Sequence, residues 1–251
     1  MFEKIIEFSA HEDYYLCKDE YPTPIKLNIP EWYKNLNHTV EKWTVKGCMP
    51  FLDTLTTGYV LKMPQDFYLK HNVDNKTKTG EVFKDSFQKF ALEEFKELIG
   101  AKGINLNAGV DIHGTDQLKG CPYISKNKNL PFYKIINPWK IKTPKGYSCL
   151  FVSPLNNPDD RFSIIPGIVD TDTFPNEINF PIVINGDKYP VLETTIKKGT
   201  PYAQVIPFKR DSWKMITKPR QVKEIQRSRL GYQLKVIHNY KERYWNKKIW
   251  K

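Results

Sequence analysis

Thr143-Pro144-Lys145-Gly146-Tyr147 opens the stretch whose reading decides the fold. It runs through Ser153-Pro154-Leu155-Asn156-Asn157 and Pro166-Gly167-Ile168-Val169-Asp170, and closes on Lys198-Gly199-Thr200-Pro201-Tyr202-Ala203-Gln204. Pro144 and Gly146 stand at tight-turn spacing, and the apolar residues from Tyr147 to Ser153 predict a buried central strand. Gly167 precedes the β-branched Ile168-Val169, and Asp170-Thr171-Asp172-Thr173 then breaks the apolar run with side chains that bond nearby backbone. That pattern is a strand ending in a polar loop. Phe180 to Ile184 is another apolar run, followed by the hairpin signal Asn185-Gly186-Asp187. Lys198-Gly199 repeats a turn and Ala203 to Phe208 repeats a strand, so the chain reads as mainly β.

Working toward the N-terminus, the segment from Phe2 to Phe8 predicts a first strand, and Pro22, Pro24 and Pro30 hold the next segment extended up to the anchor Ile29-Pro30-Glu31-Trp32. Gly58-Tyr59-Val60-Leu61-Lys62-Met63-Pro64 predicts a strand ended by proline. The polar residues 71–84 predict an exposed loop or hairpin tip. Residues 85–99 carry the clearest helical pattern, with Asp85 and Gln88 as a capping box, an apolar stripe of Phe87, Phe90, Ala91, Phe95, Leu98 and Ile99, and Gly100 to stop it. The aromatic stripe suits core packing against a sheet.

At 251 residues and 40% hydrophobic composition, the chain can bury a sizeable core. No apolar run approaches the roughly 20 residues of a membrane-spanning helix, and Met1-Phe2-Glu3-Lys4-Ile5-Ile6-Glu7 lacks the features of a signal peptide. A cytoplasmic protein without a membrane partner is expected. Cys17, Cys48, Cys121 and Cys149 lie far apart, and the expectation is free thiols acting as small buried hydrophobes.

Charge divides the chain. Residues 209–251 hold 14 Lys and Arg against Asp211, Glu224 and Glu242, a net +11 that equals the net charge of the whole chain. The body up to residue 208 is therefore neutral, and the basicity belongs to the tail. Leu230, Leu234, Ile237, Tyr240 and Tyr244 fall on one helical face there, with Arg227, Arg229, Lys241, Arg243, Lys247 and Lys248 among the bases around them. Three partners stay open for this tail: nucleic acid, another acidic surface, or the body of this same protein in a partner copy. Docking on the body is the expectation, because five aligned apolar residues favour burial.

The order of the motifs in residues 143–204 resembles the dUTPase and dCTP deaminase superfamily, with its Pro-x-Gly-Tyr turn, its Gly-x-Ile/Val-Asp strand and its Lys-Gly-x-x-x-Ala-Gln hairpin. The resemblance implies a dUTPase-like β-clip, a distorted β-barrel, with one amphipathic helix and a basic helical tail. Residues 1–208 would form a single β-rich domain, made of an N-terminal elaboration (1–84), the helix (85–100) and the dUTPase-like core (101–208), and residues 209–251 would form the tail. It also implies a homotrimer, with Mg²⁺ wherever a nucleotide is bound. The elements Ile29-Pro30-Glu31-Trp32, Cys48-Met49-Pro50-Phe51-Leu52-Asp53 with Gly58-Tyr59, and Asn137-Pro138-Trp139 look like an uncharacterised family of bacteria and marine tailed phages. For a phage protein the location would be the host cytoplasm or the virion.

Carried over residue by residue, the resemblance makes Asp170 the candidate general base and Phe174 the sugar-stacking aromatic, one residue displaced from the family's tyrosine. Asp172, Asn156, Asn157 and Gln204 complete the ligand-binding candidates. Ser153-Pro154-Leu155-Asn156-Asn157 replaces the family's Pro-Arg-Ser-Ser loop, which removes phosphate-gripping groups, and Pro181 stands where a deaminase would carry its glutamate. If the chain is an enzyme, the resemblance implies a nucleotide pyrophosphatase-like hydrolase and disfavours a deaminase. Two functions follow as expectations: a divergent, non-catalytic binder of a nucleotide or other polar ligand, or a phage structural or assembly protein that uses the fold as a trimeric building block. Separately, Asp111 and His113 alternate in a predicted strand, which offers two of the three or four ligands a metal needs, beside the plainer reading of a hydrogen-bonded structural histidine.

Overall fold

In the computed structural model, residues 4–12, 18–39, 41–73, 110–113, 115–127, 132–233 and 239–251 are described. The predicted helix at 85–99 lies outside them. The N-terminal part contributes β1 (Glu7–Ser9), β2 (Thr23–Pro24), α1 (Glu31–Lys34), α2 (Met49–Thr56), β3 (Tyr59–Lys62) and β4 (Phe67–Asn72). Then come β5 (Val110–His113), α3 (Tyr123–Lys126), β6 (Phe132–Ile135), β7 (Lys140–Lys142), β8 (Tyr147–Val152), β9 (Phe162–Ile164), β10 (Gly167–Val169), β11 (Phe180–Ile184), β12 (Val191–Ile196) and β13 (Pro201–Lys209). Two helices, α4 (Val222–Gln233) and α5 (Asn239–Arg243), follow. The protein is mainly β, as its sequence predicts.

The strands form a five-stranded sheet in the order β10-β8-β13-β3-β2, a four-stranded sheet β5-β6-β11-β9, and the pairs β1-β7 and β12-β4. β8 is central, as expected from its uninterrupted apolar run, with β10 on one side and the long β13 on the other. One core joins the sheets. Phe151 and Tyr202 of the five-stranded sheet meet Phe180 of the four-stranded sheet, each at a ring separation of 5.4 Å, within the range where aromatic pairs attract. Tyr202 is fully buried and donates its hydroxyl to Asn137 Oδ1, while Asn137 Nδ2 donates to the Trp139 carbonyl. The Asn-Pro-Trp element is therefore a polar brace inside the core, tied to Tyr202 and, through the Asn137 amide, to Asn179.

Three expectations are corrected. The Asn185-Gly186 signal does not make a hairpin: β11 pairs with β6 and β9, and β12 pairs with β4. The Asn185 and Gly186 amides instead donate to the Arg161 and Lys126 carbonyls, so the turn is held by segments far away in sequence. His71 is not in a loop. β4 alternates buried Phe67, Leu69 and His71 with exposed Tyr68 and Lys70, and His71 tolerates burial by donating Nε2–H to the Tyr189 carbonyl at 2.6 Å. Of the cysteines in the described residues, Cys48, Cys121 and Cys149 are free thiols, but Cys149 alone is buried and Cys48 is exposed. Burial pushes the Cys149 thiol up to about 11, so it stays protonated and unreactive near neutral pH.

Candidate functional site

At the start of β8, the Pro144–Gly146 turn forms as predicted: Gly146 adopts φ +86° and the Tyr147 amide donates to the Pro144 carbonyl. The turn presents the Gly146 amide to Asp172 Oδ2 at 2.8 Å. Arg210, just past β13, grips the same carboxylate with two parallel bonds, Nη1 to Oδ1 at 2.8 Å and Nη2 to Oδ2 at 2.5 Å. Its Nη1 also donates to Ser148 Oγ and lies 3.2 Å from Asp170 Oδ1, and Ser148 Oγ donates to that same Asp170 oxygen at 2.6 Å. Asp170 and Asp172 thus share one guanidinium. The cluster is net negative, whereas a site for a polyphosphate needs cations or a metal to neutralise it.

Asp172 is the more constrained of the two acids, its side chain only 3% exposed against 62% for Asp170. The Arg210 bonds and then the Gly146 amide hold its carboxyl well below the ordinary 3.8, at about 2. A depressed carboxylate stabilises the fold above its unfolded pKa, and that contribution is lost as pH falls from about 4 through about 2. We therefore expect Asp172→Asn to be less stable than the wild type at pH 7 and the gap to close as the pH is lowered to 2. Urea midpoints across that range check it; a gap independent of pH contradicts it.

Asp170 takes part in the turn through its backbone as well, its carbonyl accepting the Thr173 and Phe174 amides, which leaves Phe174 at the surface. The other predicted ligand residues lie at the far end of β8. Ser148 and Ser153 are five residues apart along an extended chain, about 17 Å. There the wholly buried Gln204 accepts the Leu155 amide at 2.8 Å and donates Nε2–H to the Thr54 and Thr57 carbonyls at 3.0 and 2.7 Å. Asn156, at φ +58°, donates to Thr54 Oγ1, and Asn157 accepts the Trp32 indole N–H. These side chains fasten the 153–157 loop to α1 and α2. The structure thus divides the predicted pocket into two clusters, and in this chain the second is occupied by internal bonds.

Asp111 and His113 do lie in a strand, paired in register with Lys134 and Phe132 of β6. Their side chains are outside the described residues. Among those that are described, no group of three or more His, Cys, Asp or Glu is placed to hold a metal.

The tail differs from its prediction in where it docks. Residues 211–221 form neither helix nor strand and are exposed throughout, with Trp213 at 91%, Met215 at 87% and Ile216 at 73% exposure. Of the single apolar face expected from Leu230 to Tyr244, the described residues Leu230, Tyr240 and Tyr244 are exposed, and Leu234 and Ile237 are outside the described residues. Contact with the body comes from the last turn of chain. Trp245 Nε1–H lies 3.1 Å from both Asp53 oxygens, Lys248 reaches Asp53 at 2.6 Å, and Trp250 packs edge-on against Tyr59 at 5.9 Å. Arg227, Arg229, Lys241, Arg243 and Lys247 are all exposed. Arg210, Ser148 and Asp53 are the residues that sequence reasoning missed. Alternation in β8 offered a hint of Ser148; nothing local pointed to the others.

No family model matches the chain, and no curated protein matches it. No helix among the described residues is long and apolar enough to cross a membrane.

Proposed function

We propose that this protein is a non-catalytic assembly protein, a dUTPase-like β fold used as a building block whose C-terminal arm clasps a neighbouring copy. The observation that carries this reading is the exposure of Trp213, Met215 and Ile216 on an extended segment between two fastened points, Arg210 on Asp172 and Trp245 on Asp53. Large apolar side chains gathered on one exposed segment mark an interaction site. The division and internal use of the predicted pocket residues also support an assembly role over ligand turnover.

Magnitudes favour a closed oligomer. Burying the three side chains contributes roughly 4.5–9 kcal/mol per arm, while association costs on the order of 4–15 kcal/mol. One arm on its own barely offsets that cost. Arms reciprocated around a symmetric ring add their contributions, and the homotrimer implied by the resemblance is such a ring.

Light scattering at micromolar concentration is expected to give a multiple of the single-chain mass. The combined Trp213→Ser, Met215→Ser and Ile216→Ser variant is expected to fall to one chain while its body melts as before. A full chain that stays monomeric, or a variant with unchanged mass, refutes the proposal. Absorbance at 260 nm that co-purifies with the full chain and is removed by high salt would point instead to nucleic acid on the exposed bases.

A further inference from the structure

The five-stranded sheet ends on β10, and among the described residues no strand pairs with its outer side. A proline fixes which backbone groups that edge presents. Pro207 of β13 lies opposite Cys149 of β8 and has no N–H to give, so this is a non-bonded pair and Cys149 turns its amide and carbonyl the other way, toward β10. There Cys149 is opposite Val169, and Phe151, two residues on, is opposite Gly167, so both pairs bond between β8 and β10. Ile168, between them, points its own amide and carbonyl out of the sheet. Its side chain is 64% exposed, Gly167 beside it is exposed, and a Cβ built on Gly167 would meet nothing within 4 Å.

Sheet edges are usually blunted by proline, by charge or by a cover, because an open one invites another chain. The opposite edge of this sheet is blunted, β2 being two residues long with Pro24 as the second. Gly167-Ile168-Val169 carries neither proline nor charge. One segment of the chain has the matching character. Trp213-Lys214-Met215-Ile216-Thr217 is exposed, contains the strand-favouring Trp213, Ile216 and Thr217, and is stopped by Pro219. Charge agrees with the match. Residues 154–187, which flank β10 in sequence, hold six acids against Arg161 alone, while residues 211–221 bring Lys214, Lys218 and Arg220 against Asp211.

The arm does not reach its own edge in this register. The Arg210 amide is pinned to the Gly146 carbonyl just ahead of β8, and β8 and β10 both lie between β13 and the free edge. Three strand spacings come to about 14 Å, whereas the three residues from Arg210 to Trp213 span about 10 Å at full extension. Trp213 would be used up in the crossing. We infer that residues 213–217 of a second copy add to β10 as a sixth strand and bond the outward Ile168 amide and carbonyl. The inference rests on the assembly role proposed above and names the surface that receives the arm; arm and edge being different surfaces, each copy gives one and receives one, as in a closed ring.

Amide exchange at Ile168 and mass by light scattering, both on the full chain, test the seat. The Ile168 amide is expected to exchange fast at nanomolar concentration and to become protected at tens of micromolar, in step with residues 211–221. Ile168→Pro removes the outward N–H and breaks no bond to β8, and should weaken association about tenfold. Ile168→Lys keeps the backbone, replaces an exposed apolar side chain with a charge that repels the arm's bases, and should also weaken it about tenfold. The lysine variant carries the test should proline disturb β10. If the mass is a multiple and the arm is protected while Ile168 exchanges fast, or if both variants assemble like the wild type, the arm is seated elsewhere: the inference is overturned and the assembly role stands. A single-chain mass with an unprotected arm overturns both.

Discussion

Gly58→Ala is expected to abolish stable folding. Gly58 sits at φ +79°, and a Cβ built on it would lie 2.1 Å from the Val205 carbonyl oxygen and 3.1 Å from its carbon, both backbone atoms of β13. Neither partner can yield, because Val205 is paired with Tyr59 on one side and Phe151 on the other, and the Gly58 carbonyl accepts the Ile25 amide. The added methyl would have to push β3 away from β13 and so open the centre of the five-stranded sheet. A loss of about 4 kcal/mol or more is expected, the size that only strain or disrupted packing reaches. Gly146→Ala is the control: φ is +86° there too, but nothing lies within 4 Å of the new atom, so the cost is limited to about 1 kcal/mol of left-handed strain. Urea unfolding of both variants separates clash from conformation. Equal losses would show that the close approach to β13 is not what makes Gly58 necessary.

Gln204→Leu is expected to have the next largest effect. The substitution fills similar space but leaves the Leu155 amide and the Thr54 and Thr57 carbonyls without the partners they have at a wholly buried position. Each orphaned group costs about 1–3 kcal/mol, and the loop can recover part of this by moving out to water, so a net loss of roughly 3–6 kcal/mol follows. For a chain of this length that lowers the melting temperature by roughly 10 °C or more. Hydrogen exchange should report the same event locally, with the Leu155 amide losing protection and the bonds Asn156–Thr54 and Trp32–Asn157 breaking with it. A variant melting within a degree or two of the wild type would mean that Gln204 is not the clamp between the loop and α2.

The parts of the fold that could be read from sequence are those fixed by neighbours along the chain. Pro144 and Gly146 set a turn, and the runs at 147–152, 180–184 and 203–208 became β8, β11 and part of β13, because turn chemistry and apolar continuity act locally. Partner choice is not local. Asn185-Gly186 carried a hairpin signal, yet β11 found β6 and β9, and the turn was captured by carbonyls at Lys126 and Arg161. His71 looked like a loop residue by polarity, whereas its place in the alternation Phe67, Leu69, His71 put it inside, where its Nε2 bonds the Tyr189 carbonyl and its Nδ1 is left without a partner among the described residues.

The candidate site shows the same division. Asp170 and Asp172 were legible as polar residues ending a strand, and both do fall in one cluster. Their fate was set by Arg210, 38 residues beyond Asp172, which sequence alone placed among the bases of the tail. Asn156, Asn157 and Gln204 were legible as a polar group near a strand end. What they bond, Thr54, Thr57 and Trp32, comes from more than a hundred residues upstream, and no spacing rule reaches that far. Docking of the tail was anticipated from its apolar face, but Asp53 selected Trp245 and Lys248 instead, because a partly buried carboxylate is best met by a cation and an indole N–H together.

The central claim, that the arm binds a second copy, is tested most directly by amide hydrogen exchange of residues 211–221 at two protein concentrations. Exposed in a single chain, these amides should exchange at the rate of an unstructured peptide at nanomolar concentration. At tens of micromolar, with Trp213, Met215 and Ile216 buried against a neighbour, they should be protected, and the protection should vanish in the triple serine variant. Exchange that stays fast and identical at both concentrations would contradict the claim.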